Sequence, residues 1–497
     1  MSNIRTTYSG LISLAINLVS VITGFGYMMI ITRSLSIQEY GTWGLINSLM
    51  VYGIIFVAIP TVWLVRETAR ESQTEKTGIL SSVIWSSLGV SVYLLMIVIL
   101  VPQTNADIMI LLFAAILVPV GILQRIISTI NLGWKPQISS YGILISEIIK
   151  IPLALLFVYQ LDLGVNGVII SLAVSTSSSI VLQTIIARKR LQGNFKFSII
   201  KKWFKLSWVS LYPKISYVLY NSDVIIISTI IGSVEIIAYY TAALVIANVV
   251  SYAAQISTSV NSKLLGGGKK IIAIQNLTYS IYFAVPLLSL SIVFAEAGLT
   301  ILNPVYKTAA FVVIFLSFRM LFRSFSGIME NYLTGIEEVD MKKNASIKDF
   351  LKSKFFTIPT FRIIQYLVYL LILSIVLVSM KSSMSEIELL IILSAISMII
   401  HIPLMILLIL KVRREFKTNF ESSSILKYIL SGFSVFGFLS FLINEFLILN
   451  EKLEEIIPDV LLFISIGVGL YVLITYLIDS KTKNLLNGII QEFNRSK

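Results

Sequence analysis

The stretch Arg188–Lys205, RKRLQGNFKFSIIKKWFK, holds seven of the chain's 39 lysines and arginines. It separates two blocks of long apolar runs. A run of about 18 or more apolar residues crosses a hydrocarbon core of about 30 Å as a helix. Six such runs precede the stretch, at about 10–32, 42–65, 79–101, 108–130, 138–159 and 165–187. Eight follow it, at about 206–231, 236–258, 272–295, 307–331, 361–379, 386–410, 425–449 and 459–478. The runs at 272–295 and 307–331 are the weakest, because they carry polar residues and are flanked by short connections. The first run is too long for a signal-peptide core and has no A-x-A-like cleavage site, so it reads as a retained helix.

Charge placement tests the count. Positive residues concentrate on the cytoplasmic side of membrane proteins. With the N-terminus placed in the cytoplasm and sides alternating, the inner segments carry 28 basic residues and the outer segments four. One helix missed or invented early in the chain would scramble that ratio. Fourteen spans with both ends cytoplasmic, in a cell membrane, is therefore the expectation. The division is an N-lobe at 1–187, a basic amphipathic linker at 188–205, a C-lobe at 206–424, and two further spans with a cytoplasmic tail at 425–497. In the linker, Phe195, Phe197, Ile199, Ile200, Trp203 and Phe204 alternate with the basic residues. That pattern suits either an interfacial helix on anionic lipid or plain topology charge.

Composition excludes several classes. Apolar residues make up 56% of the 497, and charged residues 13%, against about 25% in soluble domains. One soluble core could not bury that much apolar surface. The chain has no cysteine and one histidine, His401, so thiolate chemistry and a multi-histidine metal site are excluded. Gly266-Gly267-Gly268-Lys269 lacks the phosphate-loop spacing and falls in a connection between spans. No large outer loop is present for glycan chemistry, so an enzyme is not expected.

Charges inside a bilayer cost at least about 2.5–3.5 kcal/mol each, so they are paired or functional. The set is Arg125, Glu147, Lys150, Lys214, Asp223, Arg319 and Arg323. Five bases against two acids describe a cavity for an anion, biased to the inner half. Arg319 and Arg323 share a helix face at i, i+4. They could grip phosphate oxygens as a fork, or pair with Glu330, Asp223 or a neighbouring backbone. Glu147 and Lys150, at i, i+3, read as an internal ion pair that could break during transport. Lys214, Tyr217, Val218 and Asn221 form one stripe of the seventh run, just after Pro213. Asp223, nine residues from Lys214, faces the other side and is open to a coupling role or to pairing elsewhere. His401 beside Pro403 reads as a structural hydrogen bonder.

A family resemblance rests on ordered motifs over residues 5 to about 340. Ile31–Gly41 (ITRSLSIQEYG) resembles the exit of the first helix in polysaccharide-type flippases. Ser222-Asp223-Val224-Ile225-Ile226, then Ile231-Gly232-Ser233 and Ala238-Tyr239-Tyr240-Thr241-Ala242-Ala243, resembles their seventh-helix signature. Leu132–Pro136 leading to Ile148–Leu153, Gly164–Gly167, and Leu302–Tyr306 with Ala309-Ala310 resemble further turns of the same proteins. The chain thus resembles the multidrug/oligosaccharidyl-lipid/polysaccharide (MOP) exporter superfamily in its Wzx-like branch.

The resemblance implies two six-helix lobes around a central cavity, alternating access, and flipping of a polyprenyl-(pyro)phosphate-linked oligosaccharide to the outer leaflet. The expected partners are that glycan lipid and the bilayer, with no nucleic acid and a monomer as the functional unit. On that reading Arg319, Arg323, Lys214, Lys150 and Arg125 hold the anionic head group. Asp223 or Glu147 serves coupling or gating, and Tyr217 and Asn221 are polar cavity residues. No cofactor is expected beyond a possible coupling H+ or Na+. A MATE-like organic-cation antiporter is the alternative, followed by a membrane enzyme of glycan assembly. Drug-exporting MATE relatives often carry an acid in the first helix, where this chain has Asn17 as its strongly polar residue.

Overall fold

The computed structural model describes residues 3–70, 73–205, 207–257, 271–337, 347–417 and 421–495. Among these residues the secondary structure is helical, with no strand. The long helices are α1 (Asn3–Ser34), α2 (Ile37–Ala69), α3 (Glu75–Leu100), α4 (Ile108–Trp134), α5 (Pro136–Gln160), α6 (Gly164–Ala187) and α7 (Ser207–Ile231). They continue as α8 (Glu235–Ala254), α9 (Ala273–Val293), α10 (Pro304–Gly335), α11 (Lys354–Met380), α12 (Glu386–Phe416), α13 (Ser422–Phe446) and α14 (Leu453–Ile478). Helices α2–α14 are each long and apolar enough to cross a membrane. With the 32-residue α1, the chain is an all-α polytopic membrane protein with the expected helix order. The two weakest runs form the long helices α9 and α10, the latter opening with a 3-10 turn over Pro304–Ala309. The Gly266–Lys269 connection and the side chain of Asn17 lie outside the described residues.

Helix starts follow from capping chemistry. Ser36 and Glu39 form a reciprocal capping box at α2, and Ser385 and Glu388 form another at α12. Asp107 accepts the Met109 amide at 2.8 Å to start α4, and Asn303 with Pro304 starts α10. Gly232 ends α7 with φ +83°, a conformation that favours glycine. Gly41 lets α2 approach the chain at Val234 closely. A methyl group there would sit on the Val234 carbonyl oxygen. The two turns that open with Leu35 and Gly232 therefore meet, and Asn105 joins them through Gln38 and the Val234 amide.

The chain divides into two compact units. One comprises Met1–Thr241 with Tyr366–Ser383, the other Ala242–Gln365 with Met384–Lys497. In the first unit the linker forms a helix over Phe197–Lys205. Its Ile200 and Trp203 are buried. The Trp203 indole donates to Glu67 on α2 at 3.2 Å, and Lys202 pairs with the same carboxylate at 3.1 Å. Two of the six apolar residues read as interfacial thus belong to the protein core and Ile199 is half-buried, while Phe195, Phe197 and Phe204 stay exposed. In the second unit, Leu277, Ile328, Tyr332, Leu404, Leu408 and Phe416 build the core between α9, α10 and α12. Tyr282, Tyr428 and Tyr471 stack together and hold α13 and α14 against α9.

Candidate functional site: a basic cavity and a basic cluster

The fourth apolar run places Gln124, Arg125, Ser128, Thr129 and Leu132 on one face of α4, at i, i+1, i+4, i+5 and i+8. That face is one wall of a cavity of about 630 Å³ in the first unit. Asn47 and Thr61 of α2, Ser139 of α5, and Lys214 and Tyr217 of α7 complete its polar lining. Two of the expected bases, Arg125 and Lys214, and the expected Tyr217 therefore face one space. The ammonium and guanidinium lie close enough to repel each other. Among the described residues no carboxylate belongs to the lining, so an anion placed between the two cations would relieve the repulsion.

The wall is held from behind. Gln183 of α6 is fully buried. Its carbonyl accepts from Ser128 at 3.1 Å and Asn131 at 3.2 Å, and its amide donates to Ser179 at 3.0 Å. Gln124 in turn donates to Ser128 at 3.2 Å. A buried network anchored on Gln183 fixes the rotation of α4 and hence the direction of Arg125. Sequence reading named the bases and missed this support. Its signal was the polar stripe Ser171, Ser175, Ser179 and Gln183, repeating every four residues.

The other expected residues of this unit lie apart from the cavity lining. Lys150 binds Glu147 at 2.7 Å and sits 5.1 Å over the Tyr27 ring. Thr23 donates to the same glutamate. That is the internal pair the i, i+3 spacing suggested. Asn221 folds back to the Tyr217 carbonyl at 2.7 Å. Asp223 is buried and accepts from the Tyr240 hydroxyl at 2.6 Å, with the Tyr369 hydroxyl at 3.5 Å. Its other oxygen accepts the Val224 amide at 2.8 Å. Lys214 and Asp223 go to separate places, as their spacing required.

In the second unit, Arg319 and Arg323 of α10 belong to a cluster with Glu330, Arg362 and His401. Arg319 is fully buried. Arg362 of α11 binds Glu330 at 2.9 Å. Arg323 lies within electrostatic range of the same carboxylate, and both α10 arginines lie within range of His401. The His401 Nδ1 sits 2.7 Å from the Ser397 carbonyl, the structural bond expected of it. The eleventh apolar run begins at about 361, which puts Arg362 at its edge, whereas α11 begins two turns earlier at Lys354 and carries Arg362 inside the helix. Among the described residues no group of histidines and carboxylates could hold a metal ion.

No protein-family model and no curated protein matches the sequence. Solved structures do match. The lipid II flippase MurJ, in an inward closed conformation, is 15% identical with a TM-score of 0.66, over 95% of this chain and 100% of that one. A multidrug resistance MATE family transporter of the MOP superfamily, inward-facing, is 13% identical with a TM-score of 0.60, over 82% and 99%. The Vibrio cholerae MATE transporter VcmN in its bent form is 13% identical with a TM-score of 0.53, over 82% and 99%. At these identities the likeness shows the fold alone, and this chain shares the fold of these solved transporters.

Proposed function

We propose that the chain is a flippase that carries a polyprenyl-(pyro)phosphate-linked oligosaccharide from the cytoplasmic to the outer leaflet by alternating access, with both termini cytoplasmic. The observation that carries this reading is the cavity lined by Arg125 and Lys214 with no acid among the described residues. Two cations suit a phosphate, and the surrounding Asn47, Thr61, Gln124, Ser128 and Tyr217 suit sugar hydroxyls. The lipid II flippase in the same fold supports the choice of cargo class. Arg319 and Arg323, clustered with Glu330, Arg362 and His401, are proposed to hold helices rather than the head group, and Asp223 or Glu147 is proposed as the place of a coupling proton or sodium ion. An organic-cation exporter needs acids where this cavity has bases.

The test is transport in proteoliposomes loaded with a fluorescent lipid-linked oligosaccharide. Arg125→Gln with Lys214→Gln should abolish the movement of label between leaflets while the protein still inserts and folds. Undiminished movement in that double variant, or transport of organic cations by the unaltered chain, would overturn the reading.

A further inference from the structure

Helix α12 has two faces of different character. Leu404, Leu408, Val412 and Phe416 enter the core of the second unit. Pro403, Ile406 and Leu410 are exposed, and with Ile402 and Leu407 they line an apolar groove of about 590 Å³. The groove does not stop at the apolar residues. It ends on Lys411 and Arg414, which also line a second cavity of about 370 Å³ with Lys354 and Lys417. The two spaces share both cations. From Pro403 to Arg414 the helix rises about 16 Å, roughly half the hydrocarbon thickness of a bilayer.

The basic end is organised. Lys411 lies 4.6 Å over the Phe361 ring, and Lys354 reaches Glu415 at 3.4 Å. Four cations face one carboxylate in the second cavity's lining. A groove of one leaflet's depth that is apolar along its length and cationic at its mouth matches a lipid with an anionic head. A soluble anion would leave the apolar part unused, and a zwitterionic lipid would leave the positive excess uncompensated. We infer that α12, with the ends of α10 and α11, is a binding site for an anionic phospholipid. Its phosphate would lie among Lys411, Arg414, Lys354 and Lys417, and one acyl chain would run along Leu410, Ile406 and Pro403. This site shares no residue with the cavity of the first unit and does not depend on the cargo proposed above.

The test uses the full chain in nanodiscs of phosphatidylcholine with a minor fraction of phosphatidylglycerol. Retained lipids are counted by native mass spectrometry after transfer to detergent. The unaltered chain should keep phosphatidylglycerol in preference to phosphatidylcholine. Lys411→Gln with Arg414→Gln should lower that retention roughly tenfold or more. Ile406→Trp, which fills the groove and leaves every charge in place, should lower it too. Arg413→Gln, at the same helix end but outside the groove lining, should leave it unchanged. Arg414→Gln alone gives the same readout if the double variant does not fold. Wild-type retention in the charge variants would overturn the site. So would an equal loss in Arg413→Gln, which would mark a general charge effect. Displacement of phosphatidylglycerol by farnesyl phosphate, with no displacement by added phosphatidylglycerol, would assign the groove to an isoprenoid carrier instead.

Discussion

Arg125 and Lys214 in the first unit and Arg319, Arg323 and Arg362 in the second are the same chemistry in different surroundings. The first pair lines an open cavity whose nearest polar neighbours are neutral amides and hydroxyls. The second set lies among helices, with one arginine bound to Glu330 and another fully buried beside His401. A cation facing a cavity can spend its interaction on a ligand. A cation that neutralises a buried carboxylate is committed to holding helices together, because a buried charge without its partner is costly. Charge in a membrane span therefore does not by itself say "cargo".

The largest expected effect breaks the structural half of that contrast. Glu330→Ala leaves Arg362 without the carboxylate it binds, and should destabilise the protein by about 3–5 kcal/mol. A thermal melt in detergent reads this directly. Joint replacement Glu330→Met and Arg362→Met should recover most of the loss. A melt of Glu330→Ala at the wild-type temperature would remove the distinction between the two sets. Next comes the cavity. Arg125→Gln and Lys214→Gln should each weaken binding of farnesyl diphosphate by about 2 kcal/mol, roughly thirtyfold, the size of a lost charge-assisted hydrogen bond. The melting temperature should hold in both variants. Arg319→Gln should show the reverse pattern, with a lowered melt. If all three variants lose stability and binding together, the contrast between the two regions fails.

The helix pattern was legible because membrane spans follow length and hydropathy alone; their starts are fixed by the capping residues Ser36, Asp107, Asn303 and Ser385, which hydropathy does not register. The Glu147–Lys150 pair was legible for the same reason, since its partners share one helix turn. What depends on a distant helix was not. The hydroxyls on Asp223 come from Tyr240, across a turn, and Tyr369, far along the chain. Arg362 reaches Glu330 from a helix whose start the hydropathy window placed too late, because Lys354 and Thr357 dilute the apolar average. In the linker, periodicity could not tell Trp203, bound to Glu67, from Phe197, which is exposed.

A smaller effect sharpens the cavity side. If Gln183 fixes the direction of Arg125, Gln183→Leu should cost about 1–3 kcal/mol through the Asn131 and Ser128 groups left without their acceptor. It should also weaken binding of farnesyl diphosphate with every cavity-lining residue intact. Gln183→Glu keeps an acceptor at the same place and should recover the affinity better than the stability. Unchanged affinity in Gln183→Leu would mean that α4 is aimed by its apolar packing alone.

The smallest effect concerns a charge of a third kind, at the end of α14 and outside the spans. Burial pushes the Asp479 carboxyl up. The Thr482 amide, the Tyr428 and Ser424 hydroxyls and the Lys427 ammonium outweigh it and hold the carboxyl below the ordinary range. A group whose folded pKa is depressed adds stability that is present above its unfolded value, about 3.9 for aspartate, and is lost as the pH falls through the lower folded value. The helix Ser480–Arg495 that follows should thus be held at neutral pH and loosen in acid below about pH 4. Hydrogen exchange of that helix between pH 7 and pH 3, corrected for the intrinsic exchange rate, reads the change. Asp479→Asn should flatten the acid dependence and loosen the helix slightly at neutral pH. An acid transition that persists unchanged in Asp479→Asn would place the titrating group elsewhere.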